Sequence, residues 1–411
     1  MSKLKILHIN TLDSLGGAAQ VANDLIHHLD ADCHLVVMKK TSDDERVIQL
    51  PKNALDYFFR FLSKVMWKLG QQKSLRAFLS LDNEANYTFA KLKQLKEYQE
   101  ADIIHLHNIH GGFFDFNALV EIAKEKKIVW TLHDMWAITG GEAYTFGNEN
   151  YKKGIGYTPY ISNYPLLNPL IDRRHFFLKK KKEIYKEIHE ALTVVVVSKW
   201  LENCFRQSFV YNLGIDLRRI HNGIDTSLFT GTPLRDWPKP RILFFKANNP
   251  FKGEQLFLDI LGKIQHDFEL IVVGERLKRK IKYKHIKYVG DREMLNALYN
   301  QVDILVFPSL AENFPLTVLE AMACRVCVIA SDTGGIPEML DNSCGYLFEN
   351  NNKEDLLLKI NEALADPAAV HEKGEIARKC VLENFTVGKK CEAYEQLYLE
   401  VLGRNKKASA V

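Results

Sequence analysis

The sequence lacks any apolar run of the length, about 18 to 20 residues, that a helix needs to cross a bilayer. Its longest apolar run, residues 192–197, has the length of a buried strand. The first ten residues hold only a short apolar run, which His8 interrupts, so they predict a first strand and not a secretory signal. We therefore expect a cytoplasmic protein without a membrane-spanning segment.

Cysteine is scarce, and neither sign of charge dominates. Seven cysteines, an odd number, are scattered along 411 residues, which together with the absence of a secretory start indicates reduced thiols in a cytosol. The 55 basic and 51 acidic residues nearly balance, so the composition predicts no nucleic-acid partner. With 46% hydrophobic residues, the chain is long enough for two or three globular domains.

Residues 303–339 carry the most informative pattern, which predicts strand, loop, helix, strand, loop, helix. Glu312 lies in the loop after a buried strand, and Glu320 lies eight residues later inside the helix that begins at Leu316. Open α/β sheets bind ligands at this end of their strands. The amides at the start of the helix suit a diphosphate, and a carboxylate further along it suits a vicinal diol such as ribose. The alternative interpretation makes Glu320 a solvated helix residue and Glu312 an ordinary loop residue.

The motif Glu312-x7-Glu320, followed by Asp332-Thr-Gly-Gly-Ile-Pro-Glu338, resembles the donor site of retaining GT-B glycosyltransferases of family 4. The resemblance implies an α/β GT-B fold, in which two Rossmann-like domains face each other across a cleft and a C-terminal helix returns to the first domain. It also implies that Glu320 binds the ribose and Glu312 faces the donor sugar. The remaining donor-site residues of this segment are Asn313, Phe314, Pro315, Leu316 and Thr317.

Two further segments resemble donor-binding parts of the family. Gly16 and Gly17 stand at the first strand-to-helix turn, where glycines let the backbone approach a phosphate closely. Lys246 and Lys252 occupy places at which the family usually carries an arginine and a lysine that face the donor diphosphate. Lys246 would replace the arginine as a point charge without a bidentate fork. Lys252 would hold the leaving diphosphate in place of a metal.

Histidines follow two predicted strands of the first domain. His105, His107 and His110 form an H-x-H-x-x-H pattern that suggests a metal site. Strand alternation puts His105 and His107 on one face but leaves His110 beyond the strand, and no cysteine is near, so we expect no metal there. The D-x-D at residues 30–32 is interpreted as a surface turn. His133, in the sequence T-L-H-D at a strand end, resembles the family's catalytic or sugar-positioning histidine.

Residues 135–172 form a long loop-rich segment, and loops of this length are usually functional. The sequence HDMWAITGGEAY resembles a colanic-acid-like, polysaccharide-biosynthesis branch of the family, although Glu142 stands where that branch carries cysteines. The resemblance implies an acceptor that is a lipid-linked or free oligosaccharide. The acceptor-side residues that it implies are Asp134, Trp136, Gly140, Gly141 and Tyr144.

The chain is predicted to divide into an acceptor domain (1–230), a donor domain (231–385) and a C-terminal helix with its tail (386–411). A helix over residues 55–69 combines an aromatic face with the basic stripe Arg60, Lys64 and Lys68, which is typical of a helix lying on an anionic membrane. Burial of this helix against the N-terminal sheet is the alternative. Residues 173–182 form a second basic amphipathic stretch, for which a solvated helix face is the alternative.

The sequence thus predicts a retaining hexosyltransferase that moves a sugar from a UDP- or GDP-sugar to an acceptor hydroxyl in surface-polysaccharide biosynthesis. We expect no metal or other cofactor, no nucleic-acid partner and a peripheral position on the inner face of the cytoplasmic membrane. The alternatives are a GT-B nucleotide-sugar epimerase or phosphorylase, and a two-domain sugar-binding protein without catalysis.

Overall fold

The computed structural model describes residues 3–52, 57, 88–110, 113–156, 172–232, 237–247, 249–277 and 281–403. The chain forms two compact units, Met1–Ile220 with Cys391–Val411, and His221–Lys390. The ends predicted for the acceptor domain, at residue 230, and for the donor domain, at residue 385, remain predictions. The predicted membrane helix over residues 55–69 lies outside the described residues, apart from Tyr57.

The first unit is built on a seven-stranded sheet with the order β3-β2-β1-β4-β5-β6-β7, in which every pairing is parallel. Valine, isoleucine and leucine dominate two of its inner strands, residues 103–106 and 192–196, which are buried along their whole length, as parallel strands covered on both faces require. The strands are β1 (Lys5–Leu12), β2 (Asp32–Lys39), β3 (Val47–Gln49), β4 (Ile103–Leu106), β5 (Lys127–Leu132), β6 (Leu192–Val196) and β7 (Asp216–Arg219).

Helices connect these strands, as parallel pairing demands. They are α1 (Gly17–His28), α2 (Thr88–Leu92), α3 (Lys96–Glu100), α4 (Ala118–Ala123), α5 (Arg174–Ile188) and α6 (Lys199–Arg206). The last helix of the chain runs over Val387–Val401, and its part from Cys391 onward belongs to this unit. There Tyr398 and Tyr394 reach the buried side chains of His105 and Thr131.

The second unit is built on a six-stranded parallel sheet with the order β10-β9-β8-β11-β12-β13. Its strands are β8 (Arg241–Lys246), β9 (Glu269–Gly274), β10 (Lys284–Ile286), β11 (Ile304–Phe307), β12 (Cys327–Asp332) and β13 (Gly345–Glu349). Its helices are α7 (Glu254–Ile260), α8 (Arg292–Tyr299), α9 (Leu316–Ala323), α10 (Lys353–Ala365) and α11 (Pro367–Asn384), and α12 (Val387–Val401) ends the described chain.

Both strand orders reverse direction beside the first strand of the sheet, which is the doubly wound arrangement. The reversal falls between β1 and β4 in the first unit and between β8 and β11 in the second. Because chain crossovers leave in opposite directions there, the carboxyl ends of these strands bound a crevice. Among the described residues, no helix has the length and apolarity needed to span a membrane.

Candidate functional site

The crevice of the second unit is formed by the chain that leaves β8 and β11. After β11 the backbone passes through residues 308–315 before α9 begins at Leu316. Three polar side chains of this loop, Ser309, Glu312 and Asn313, are buried. Buried polar groups are costly unless they are paired, so their partners define what the loop is built to hold.

Glu312 is paired with a cation and a hydroxyl. Lys252 Nζ forms an ion pair with Glu312 Oε1, and Ser309 Oγ donates to the same oxygen at 2.8 Å. Lys252 lies in the short turn before α7, where the side chain of Asn249 accepts a hydrogen bond from the amide of Phe251. The structure thus brings together two residues, Lys252 and Glu312, that the sequence assigned to the donor site.

Glycines allow three segments to meet at this point. Gly253 has φ +67°, and a Cβ there would lie 1.7 Å from the carbonyl oxygen of Pro308. Gly334 has φ +59°, and a Cβ there would lie 1.6 Å from the carbonyl oxygen of Glu312. The amide of Gly335 then donates to the carbonyl of Asn313 at 2.8 Å. The lysine turn, the glutamate loop and the double-glycine loop therefore form one interlocked structure.

Glu320 lies on α9 with its side chain buried, so it is not a solvated helix residue. The hydroxyl of Tyr299 donates to Glu320 Oε2 at 3.1 Å. Burial, and after it the neighbouring Glu320 carboxylate, raises the pKa of Tyr299 well above its ordinary value. Sequence reasoning missed Tyr299, because its position on α8 gives no local sign of the contact.

The start of α9 offers backbone amides. Pro315 precedes the helix and makes no side-chain cap, and the first amides of a helix have no acceptor within the helix itself. Phe314 is held by two residues at the start of the second unit: the His221 ring stacks on it at 4.9 Å, and Asn222 Nδ2 donates to its carbonyl at 2.9 Å. Neither His221 nor Asn222 was assigned to the site from sequence.

Lys246 is placed differently from Lys252. Its side chain is buried, and Nζ forms an ion pair with Glu254 Oε1 at 2.7 Å. Glu254 belongs to the first turn of α7. The predicted stand-in for an arginine thus has a carboxylate partner of its own at the end of β8.

In the first unit, Gly16 lies in the turn just before α1 and Gly17 is the first residue of that helix, and both are exposed. A Cβ at either position would meet no atom within 4 Å, so the turn is open. Asp13 precedes this turn, and its carboxylate accepts hydrogen bonds at 2.7 Å from the amides of Thr41 and Ser42. Burial by itself would raise the pKa of Asp13, but the hydrogen bond from the Thr41 hydroxyl, together with those from the two amides, holds it at about 2.

His133 follows β5 and is half-buried. Its Nε2 lies 3.2 Å from Nδ1 of His107, which is buried at the end of β4. The next residue, Asp134, is buried, with one oxygen 3.2 Å from His110 Nε2 and the other accepting from the amide of Trp136 at 2.8 Å. His133 and Asp134, the last two residues of the T-L-H-D sequence, thus belong to separate hydrogen-bonded pairs.

Besides the buried Asp134, two more of the predicted acceptor-side residues, Trp136 and Gly140, are inside the fold. The Trp136 ring is buried, and Lys181 Nζ lies 3.6 Å from its centroid. Gly140 is packed so closely that a Cβ would lie 2.6 Å from the carbonyl oxygen of Gly156. Gly141 and Tyr144 are half-buried.

Two buried charged pairs or contacts involve residues of this segment. Glu142 forms an ion pair with Arg174 at 2.6 Å, and Lys181 donates to the carbonyl of Thr139 at 3.1 Å. Burial lowers the pKa of Lys181 to about 7. Arg174 and Lys181 belong to the stretch that was predicted to be a basic amphipathic face, but α5 turns both of them inward.

One group of histidines could hold a metal ion. His8, His105 and His107 each place a ring nitrogen within 4.8 Å of the others. His110 is not part of this group, and strand alternation gave no hint of His8, which lies on a different strand. The rings of His105 and His107 stack at 4.3 Å.

Comparison with known proteins gives two family matches that cover most of the chain. The model of the family described as Glycosyltransferase Family 4 matches residues 15–228, and the one described as Glycosyl transferases group 1 matches residues 239–366. WcaC of Escherichia coli (strain K12), named as a colanic acid biosynthesis glycosyl transferase, is 28% identical over 59% of this chain and 63% of its own length. The chain thus spans less than two thirds of that relative.

Another relative is matched over more of its length. The N-acetyl-alpha-D-glucosaminyl L-malate synthase of Bacillus anthracis is 26% identical over 77% of this chain and 79% of its own.

Solved structures show the same architecture. The sucrose-phosphate synthase of Thermosynechococcus elongatus matches 98% of this chain and 100% of its own with a TM-score of 0.67 at 18% identity. Anabaena Alr3699/HepE, solved in complex with UDP and glucose, matches 96% and 99% with a TM-score of 0.62 at 16% identity. This likeness confirms the predicted α/β fold of the GT-B type. Because the family 4 model covers more than half of the sequence, the chain belongs to glycosyltransferase family 4.

Proposed function

We propose that this protein is a retaining glycosyltransferase that moves a hexose from a UDP- or GDP-sugar to an acceptor hydroxyl. The observation that carries the proposal is the interlocked site of the second unit. There Lys252, from the turn before α7, is paired with Glu312 in the loop before α9, and the buried Glu320 lies on α9. Such a site offers a cation, helix-start amides and a carboxylate to one ligand.

Lys252 and the amides at the start of α9 would bind the diphosphate. Negative charge grows on the leaving phosphate oxygen as the glycosidic bond of the donor breaks, and preorganised cations and dipoles stabilise that charge in the transition state. Glu312 keeps the lysine in place through their ion pair. The proposed reaction therefore needs no metal ion, and UDP or GDP leaves with the charge neutralised by the protein.

Glu320 would bind the ribose of the donor. An ionised carboxylate can accept hydrogen bonds from the two hydroxyls of a vicinal diol, and the Tyr299 hydroxyl donates to one oxygen of Glu320. The hydrogen bond also fixes the carboxylate, so little conformational freedom is lost when the nucleotide binds. Glu312 would face the donor sugar, and the resemblance to the family gives His133 the role of positioning that sugar.

The acceptor is proposed to be a growing oligosaccharide on a lipid carrier. Support comes from the likeness of residues 133–144 to the colanic-acid-like branch and from the similarity to WcaC, whose name refers to colanic acid biosynthesis. Trp136 and Gly140 would shape the acceptor segment from inside the fold. Asp134, Gly141 and Tyr144 remain candidates for contact with the acceptor.

A peripheral position on the inner face of the cytoplasmic membrane is part of the proposal. The start of α5 exposes the Phe176 ring, and the Arg173 guanidinium lies 4.5 Å from its centroid. Lys179 and Lys182 are exposed on the following turns. Exposed aromatic and basic side chains on one helix suit an anionic lipid surface.

The stereochemistry of the product tests the reaction type. The protein is incubated with a panel of UDP- and GDP-sugars and an oligosaccharide acceptor, and the anomeric configuration of the product is read by NMR. We expect an α-linked donor to give an α-linked product. An inverted product would overturn the retaining mechanism. An epimerised donor formed without acceptor would indicate an epimerase, and binding of donor without any turnover would indicate a sugar-binding protein.

A further inference from the structure

Three histidines form a chain across the centre of the first unit and end at His133. His8 Nδ1 lies 3.1 Å from His107 Nε2, and His107 Nδ1 lies 3.2 Å from His133 Nε2. His8 and His107 are 0% and 1% exposed, whereas His133 is half-buried. The three rings stand on or after β1, β4 and β5, which are adjacent in the sheet. We name these residues the histidine chain.

The inner end of the histidine chain determines the direction of its hydrogen bonds. His8 Nε2 is buried and has no hydrogen-bond partner. Burial also lowers the pKa of His8 to about 3, so the ring is neutral and carries a single proton. If that proton lay on Nε2, an N–H group would be buried unpaired, which is rare and costly in proteins. The proton therefore lies on Nδ1, and His8 donates to His107.

The same direction extends outward to His133. His107 Nε2 accepts from His8, so the proton of the His107 ring lies on Nδ1. His107 Nδ1 then donates to His133 Nε2. With Nε2 occupied as an acceptor, a neutral His133 carries its proton on Nδ1. The histidine chain cannot pass a proton inward to solvent, because it ends at the unpartnered His8 Nε2. It can, however, orient the ring of His133 at its outer end.

The competing interpretation of these rings is a metal site formed by His8, His105 and His107. Both nitrogens of His105 already have partners, since Nδ1 lies 2.7 Å from Tyr398 Oη and Nε2 lies 2.8 Å from Thr131 Oγ1. A ligating nitrogen points its lone pair along the ring plane, yet the His105 and His107 rings stack face to face at 4.3 Å. A shared ion would require these contacts to break, so the geometry favours the hydrogen-bonded chain.

We propose that His107 and His8 are positioning residues that hold the His133 ring in one orientation and one tautomer, with its proton on Nδ1. A hydrogen-bond donor whose orientation and tautomer are fixed in advance loses no rotational or tautomeric freedom when it binds a sugar hydroxyl. Preorganised polar groups aid a reaction in this way. The kinetic consequence rests on the proposed function, in which His133 positions the donor sugar. The fixed tautomer is a property of the protein and does not rest on it.

The protein offers a matched pair of substitutions, His107→Phe within the histidine chain and His105→Phe beside it. Both side chains are fully buried, their rings stack on each other, and each makes two hydrogen bonds through its two nitrogens. Of these two histidines, only His107 is hydrogen-bonded to His133. We expect similar losses of thermal stability in the two variants. We expect His107→Phe to lower kcat roughly 10- to 100-fold below that of His105→Phe, with little change in the KM for the donor. Equal kcat values in the two variants would overturn the proposal.

A second readout is made on the wild-type protein and does not depend on activity. In wild-type protein with ¹⁵N-labelled histidine, the His133 ring signals are identified by their loss in His133→Gln. We expect a protonated Nδ1 and an unprotonated Nε2. The opposite tautomer, or an average of both, would overturn the proposal. So would stoichiometric Zn²⁺ that shifts the signals of His8, His105 and His107 together. The expected tautomer in a protein that transfers no sugar would support the histidine chain and reject the proposed function.

Discussion

At the scale of single residues, the site is recognisable because each buried charge has a specific partner. Glu312 is paired with Lys252, Lys246 with Glu254, and Glu320 accepts from Tyr299. Ion pairs of this kind are weak evidence for stability, because desolvation offsets most of the attraction. Their position at the carboxyl ends of β8 and β11 is a stronger indication of function.

Replacement of Glu320 by alanine should weaken the binding of UDP or GDP by about 1.5 to 3 kcal/mol, the usual scale for a hydrogen-bond partner that carries a charge. Isothermal titration with both nucleotides measures the effect. Glu269→Ala is the matched control, because that glutamate is exposed at the opposite end of a strand in the same sheet. Unchanged affinities in Glu320→Ala would show that the ribose assignment is wrong.

Lys181 makes stability depend on pH. Its pKa is about 7 in the folded protein, against the ordinary value of 10.5 that applies to the unfolded chain. Between these values the unfolded chain binds a proton that the folded chain lacks. The free energy of unfolding therefore rises with pH, by up to about 1.4 kcal/mol per pH unit from this group. Below this pH window, Lys181 is protonated in both the folded and the unfolded protein. The free energy of unfolding is then reduced by the full cost of burying the charged amine.

Lys181→Met removes the titrating group and tests this dependence. Denaturant titrations of wild type and variant, at several pH values inside the window, give the difference between their free energies of unfolding. The difference should shift in favour of the wild type as the pH rises. A difference that stays constant with pH would mean that Lys181 keeps its proton in the folded protein.

At the scale of elements, the strand, loop and helix that were predicted around the site agree with the structure. A buried strand, a loop and a helix beginning at Leu316 were expected, and they are present as β11 (Ile304–Phe307), residues 308–315 and α9 (Leu316–Ala323). Such elements follow from local patterns of apolar residues. The contacts between elements do not: His8 meets His107 only because β1 lies beside β4, and Lys181 is buried only because Trp136 and Thr139 cover it. A run of lysines carries no local sign of that burial.

The interlocked loops of the second unit should respond sharply to one methyl group. Gly334→Ala forces a residue with positive φ into contact with the Glu312 carbonyl. It should lower stability by roughly 2 kcal/mol or more and weaken nucleotide binding. Gly262→Ala is the matched control, because a Cβ there meets no atom within 4 Å. Thermal unfolding of both variants provides the test, and equal melting temperatures would contradict the interlocked arrangement.

At the scale of the whole molecule, family and fold are established, whereas the membrane position is a proposal that can be tested on the described surface. The double variant Lys179→Glu, Lys182→Glu reverses two exposed charges of α5. Each basic residue near an anionic lipid surface contributes roughly 1 kcal/mol. The variant should therefore lose most of its co-sedimentation with anionic liposomes while donor hydrolysis is retained.

The control for this experiment has the same change in net charge at another place. Lys284→Glu, Lys287→Glu reverses two exposed lysines of the second unit. It should sediment with liposomes as the wild type does. If the wild type does not bind, or if both double variants lose binding equally, the surface at the start of α5 is not a membrane-binding site.

The most direct test of the central claim is the release of UDP or GDP from the donor sugar in the presence of acceptor and EDTA. The metal-free site predicts a wild-type rate within about twofold of the rate without EDTA. Lys252→Ala should lower kcat more than it raises the KM for the donor, because the charge that Lys252 faces grows toward the transition state. The control Lys239→Ala, an exposed lysine at the other end of β8, should behave as wild type. Activity that EDTA abolishes and manganese restores, or a Lys252→Ala variant with unchanged kcat, would contradict the account.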